Sequence, residues 1–131
     1  MINKSLFKSV DHDTRTPKGF FDKLNNEFDF DMDVSPHKSL IDMIKKDWFG
    51  WCYCNPPYNN QDTFLNKGLE EIKKGTCKGV VYLIPSRTDT KRFHEIILPN
   101  AKEIRFIKGR LKFAECKNSA PFPSMIVIFS S

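Results

Sequence analysis

Apolar and polar residues recur along this chain in short blocks, and each block predicts one element. Phe20, Phe21, Leu24 and Phe28 fall at helical spacing and give one apolar face through about Phe28. Thr16 followed by Pro17 reads as the N-cap and first position of that helix. Phe30, Met32 and Val34 then alternate with Asp29, Asp31 and Asp33, the period of a short strand over 30–34. Leu40, Ile41, Met43 and Ile44 make a short helix or turn leading to Trp48, and an apolar run gives a strand over 51–54. Asp62 or Thr63 caps a longer helix bearing Phe64, Leu65, Leu69 and Ile72, which closes at Gly75. Residues 79–84 are continuously apolar, as in a strand buried on both faces, and Pro85 ends them. A further helix from Asp89 to about Leu98 turns Phe93 and Ile97 inward, and strands follow near 103–107 and 124–130.

Strands alternating with helices imply an α/β domain, and 131 residues suffice for one core. Residues 1–15 have no clear period and are expected to be a flexible arm, leaving 16–131 as the domain. No apolar run is long enough to cross a bilayer, and Met1-Ile2-Asn3-Lys4-Ser5 lacks a secretory apolar region, so the expected compartment is the cytoplasm. Cys52, Cys54, Cys77 and Cys116 lack a paired C-x-x-C arrangement, which suits buried thiols and gives no metal site. Charge is uneven: residues 1–66 carry a net −2 and residues 67–131 a net +7, within the +5 of the whole. A basic half suits a polyanionic partner, although solvated lysines account for much of it.

The most distinctive stretch is Cys54-Asn55-Pro56-Pro57-Tyr58. Two prolines cannot donate to a sheet ladder, and a residue before proline is pushed to extended geometry. The strand therefore stops in a stiff loop at its carboxyl end, where open α/β sheets place ligands. A strand end with Tyr58 packed over it would need no more than that. The full set does more: the Asn55 amide oxygen and the Pro56 carbonyl are two fixed acceptors, and Tyr58 offers a stacking face. Together they suit a planar group bearing an NH2.

Asn55-Pro56-Pro57-Tyr58 matches the catalytic motif of amino-group methyltransferases. Further pieces resemble one branch, the phage-type DNA N6-adenine methyltransferases, over residues 15–130 and in the family's order. They are Thr16-Pro17, Phe30-Asp31-Met32-Asp33, Leu83-Ile84-Pro85-Ser86-Arg87-Thr88-Asp89-Thr90, Gly109-Arg110-Leu111-Lys112-Phe113 and Ala120-Pro121-Phe122-Pro123-Ser124. The resemblance implies a single reduced Rossmann-like methyltransferase domain: three layers around a mixed, mostly parallel sheet whose final strand runs antiparallel. It implies S-adenosylmethionine as cofactor and double-stranded DNA as partner, with methyl transfer to the N6 of a flipped adenine. Asn55, Pro56, Pro57 and Tyr58 would be catalytic, and the Thr16-Pro17 helix start would lie near the cofactor.

Other assignments come from position. Asp33 ends its strand at the carboxyl edge, where a carboxylate can accept from the cofactor's amino or hydroxyl groups. Ser86 and Arg87 emerge at the same edge as Asn55. Arg110 and Lys112 are expected near the DNA path and Lys102 as solvated charge, with Arg105 on the opposite strand face unless Gly109 makes a bulge or turn. Most methyltransferases have a glycine-rich loop where this chain has Val34-Ser35-Pro36-His37. Two alternatives therefore remain open: a methyltransferase for an RNA base or protein amide, and a nucleic-acid-binding domain with a degenerate cofactor pocket.

Overall fold

The computed structural model describes residues 16–35, 40–111 and 122–131. The expected arm, His37, Lys112 and Cys116 lie outside the described residues. Five strands form one sheet: β1 (Met32–Asp33), β2 (Gly50–Cys54), β3 (Cys77–Pro85), β4 (Glu103–Phe106) and β5 (Ser124–Ser130). Their order across the sheet is β1-β2-β3-β5-β4. The first three pair in parallel, whereas β5 runs antiparallel to both β3 and β4. Four strands thus point one way, with the last against them, and the carboxyl ends of β1, β2, β3 and β4 share one edge.

Helices cover both faces. α1 (Lys18–Phe28) packs Phe21 and Leu24 on one side, against Tyr53, Val81, Leu83, Ile126 and Ile128. The other side carries α2 (Leu40–Lys45), α3 (Gln61–Lys74) and a helical segment Arg92–Ile97 that continues into α4 (Leu98–Asn100). Strand alternation divides the two layers: Cys52 and Cys54 face α3 while Tyr53 faces α1. Each buried large apolar side chain contributes roughly 1.5–3 kcal/mol. α1 is held at its far end too, because the Arg105 guanidinium donates to both Glu27 oxygens at 2.7 and 2.6 Å and lies 5.6 Å from the Phe28 ring centre. Hydrogen bonds from Arg105 hold the Glu27 carboxyl below its ordinary range.

Several boundaries differ from the sequence reading. Thr16 does not cap α1: the cap position is Pro17, with no side-chain cap bond, because the Thr16 hydroxyl turns inward to Tyr53. α3 begins at Gln61 with Asn60 at its cap, since the turn Tyr58–Asn60 feeds straight into it; Asp62 and Thr63 sit inside the first turn. Its other end is as read, with Gly75 at φ 101°, a left-handed stop that glycine adopts without strain. Pro85 belongs to β3, and the connection to the β5 side continues one bond further through Ser86 N–H to the Pro123 carbonyl at 2.9 Å. The helix holding Phe93 and Ile97 is π-wound, Leu98 N–H reaching back to Phe93. Pro99 follows, and its ring and missing N–H favour such a widened turn. β4 stops at Phe106, and Gly109 at φ 75° lies in the bend beyond it, so strand alternation does not decide where Lys108 and Arg110 face.

Candidate active site

β2 delivers Asn55 to the carboxyl edge. Its anchor is the main chain: Asn55 N–H donates to Ser35 Oγ at 2.8 Å, and Ser35 N–H donates to Asp33 Oδ1 at 2.9 Å. The end of β1 is thereby tied to the end of β2. Asn55 Nδ2 lies 3.4 Å from Thr16 Oγ1, which in turn lies 2.9 Å from the Tyr53 hydroxyl. This chain of contacts turns the amide nitrogen towards α1 and its oxygen away from Thr16. Thr16, Asp33, Ser35 and Asn55 are all buried, an unusual concentration of polar groups at the end of an apolar sheet.

Beyond Asn55 the backbone is stiff. Pro57 is extended at φ −67° and ψ 147°, and Asn60 N–H donates back to its carbonyl at 3.1 Å. Tyr58 is left 61% exposed, with its ring edge-on to Phe122 at 5.3 Å between centres. The Arg87 guanidinium lies 5.7 Å from the same Phe122 ring. Tyr58, Phe122 and Arg87 therefore form one row along the edge, while Ser86 is fixed by its bond to Pro123. A bidentate contact of Arg92 with Gln61 and Asp62 ties the start of α3 to the next helix.

The sequence-derived residues Thr16, Asp33, Asn55, Pro56, Pro57, Tyr58, Ser86 and Arg87 thus share one edge. Pro17 stands beside them at the helix cap. Arg110 is exposed on the chain leaving β4, also at this edge but about 14 Å across the sheet from β2 by strand spacing. Tyr53, Ser35 and Phe122 had no role in the sequence reading. Their contacts join residues far apart in the chain, and only Phe122, inside a motif already noted, carried a local signal.

A sheet of this order, with an amide and paired prolines at its carboxyl edge, has the architecture of a Rossmann-like methyltransferase domain. Sequence comparison narrows this. The family described as DNA N-6-adenine-methyltransferase (Dam) matches residues 4–131. The DNA N-6-adenine-methyltransferase of Haemophilus phage HP1 is 30% identical over 149 positions, covering 98% of this chain and 85% of that protein. The chain belongs to the DNA N-6-adenine-methyltransferase family. No solved structure matches it.

Proposed function

We propose that this domain takes a methyl group from S-adenosylmethionine and places it on the N6 of an adenine flipped out of double-stranded DNA. The observation that carries the reading is Asn55: an amide fixed by Ser35 and Thr16, beside a rigid diproline and an exposed tyrosine ring. Asn55 Oδ1 and the Pro56 carbonyl accept the two N6 hydrogens, raising electron density on nitrogen as its new bond to carbon forms. Pro57 keeps that carbonyl in place, and Tyr58 stacks on the base. The nitrogen then loses one proton to solvent, so no strong base is required. Positioning and electrostatics are the protein's contribution. Flipping is required because the amino group cannot meet the donor in line within the duplex.

The buried carboxylate of Asp33, an acceptor, and the hydroxyl of Thr16 fit the amino and hydroxyl groups of S-adenosylmethionine. That cofactor, when bound, supplies an electrophilic methyl carbon whose bonding electrons leave with sulfur. Thr16, Pro17 and Asp33 would hold it on the β1 side of Asn55. Among the described residues no helix is long and apolar enough to cross a membrane, and the reading puts the protein in the cytoplasm, that of the host if a phage or prophage encodes it. Digesting treated, previously unmethylated DNA to nucleosides tests the activity: mass spectrometry should find N6-methyladenine, and its absence refutes the reading.

Three variants test the assignments. Asp33→Ala should weaken S-adenosylmethionine binding in calorimetry and leave DNA affinity unchanged; wild-type cofactor affinity would return Asp33 to a structural role at the end of β1. For DNA, Ser86, Arg87, Arg110 and Lys112 are the proposed contacts. Arg110→Ala with Lys112→Ala should flatten the dependence of log K on log salt by roughly two units. Lys102→Ala should leave it alone. A wild-type slope in the double variant would move the interface to Ser86 and Arg87.

A further inference from the structure

Ser124 opens β5, and among the described residues its hydroxyl is the buried side-chain polar atom without a hydrogen-bond partner. It is 2% exposed. Burying an unpaired hydroxyl destabilises a fold, and alanine would remove that cost while deleting only one oxygen. Its described neighbours explain why none of them answers it. Ser124 alternates with Ile126 and Ile128, which pack on the α1 side, so its side chain faces that side as well. Flanking it on neighbouring strands are Pro85, its register partner, and Ile107, whose N–H meets the Ser124 carbonyl at 3.1 Å. Neither side chain has a donor or acceptor.

The residue nevertheless stands beside the site. Phe122, two residues earlier, touches Tyr58 and Arg87, and Pro123 holds Ser86, so residues 55–58, 85–87 and 122–124 converge on one edge. Asn55 directly follows Cys54, the partner of Tyr82, while Ser124 pairs with Pro85. Ser124 is therefore two strands across from Asn55 and two residues nearer the edge, about 12 Å between α-carbons. That is the span of a purine with a hydrogen bond at each end. The residues suited to the cofactor, Thr16 and Asp33, belong to the β1 side, and Asp33 is three strands away from Ser124.

We propose that Ser124 contacts the substrate: its hydroxyl donates to a ring nitrogen of the target adenine while Asn55 and Pro56 hold the amino group. The proposal rests on the reading of Asn55 given above. Ring nitrogens of adenine are acceptors, so a hydroxyl satisfies one of them and is itself satisfied only when the base is in place. The test compares wild type, Ser124→Ala and Asn55→Ala on duplexes carrying adenine or its 1-, 3- or 7-deaza analogue at the position wild type methylates. Ser124→Ala should melt at or above the wild-type temperature yet lose ~3–10-fold in kcat/KM. One deaza analogue should cost wild type a similar factor and cost Ser124→Ala nothing further. A lower melting temperature with losses additive for all three analogues indicates packing alone and overturns the proposal. So does wild-type kcat/KM in Ser124→Ala while Asn55→Ala is disabled. If Asn55→Ala is itself fully active, the underlying reading fails first.

Discussion

Asn55→Ala should lower kcat by ~10²–10³, the usual effect of removing one positioned polar group at a reacting centre. Affinity for S-adenosylmethionine should change only a few-fold. The structure favours a clean result, because the fold anchors this residue through its main chain. Asn55 N–H donates to Ser35 Oγ at 2.8 Å, a bond that alanine keeps. The Asn55 amide nitrogen lies 3.4 Å from Thr16 Oγ1, a long contact, and Thr16 retains its shorter one with Tyr53. Asn55→Asp is the informative companion. It replaces the amide nitrogen with an oxygen to which the Thr16 hydroxyl can donate, and it preserves an acceptor on the other side. Single-turnover rates should therefore rank wild type, then Asp, then Ala. An alanine variant that is folded and as fast as wild type would show that Asn55 does not hold the amino group.

The legibility of this site followed the range of the interactions that make it. The strands were readable because burial alternates or runs continuously: 30–34 contains β1, and 79–84 lies within β3 (Cys77–Pro85). The edge that gathers Asn55, Ser86 and Asp33 was readable because prolines and charges interrupt apolar runs at fixed places. Thr16 shows where such reasoning stops. Threonine before proline is a local signal for a helix start, and a helix does follow, but its hydroxyl is claimed by a tyrosine 37 residues away. Ser35 likewise looks like a loop serine until its oxygen is found under the backbone of Asn55. Phe122 and Ser124 carry no local sign of a role, because nothing within their motif indicates Tyr58 or Pro85 as neighbours. Glu71 gave no signal at all, since a glutamate in a lysine-rich helix ordinarily faces water.

Glu71→Ala should be among the most destabilising single changes in this protein, costing about 3–5 kcal/mol as expected when one member of a buried charged pair is deleted. The carboxylate is fully buried on α3, where Trp48 N–H donates to it at 2.7 Å, Lys67 Nζ at 3.2 Å and Lys74 Nζ at 2.6 Å. Trp48 leads into β2, and its ring is itself buried with the indole N–H on the Met43 carbonyl at 3.1 Å. Losing the carboxylate strands a main-chain donor and the mostly buried Lys67 ammonium together. Burial alone would raise the Glu71 carboxyl, but hydrogen bonds from Lys74, Trp48 and Lys67 outweigh it and hold the group below its ordinary value. A carboxyl lowered in the folded state contributes fully above its unfolded value of about 4.3, and the contribution disappears as pH falls through the folded value. The stability gap between wild type and Glu71→Gln, which keeps shape but not charge, should thus be widest near neutrality and shrink below about pH 5. Denaturant melts across that range decide it; a gap independent of pH would mean the loss is one of packing. Because Glu71 acts at the start of β2 and Asn55 at its end, turnover well below the melting temperature should remain near wild type. A slow but stable Glu71→Gln would instead show that this anchor sets the position of the catalytic loop.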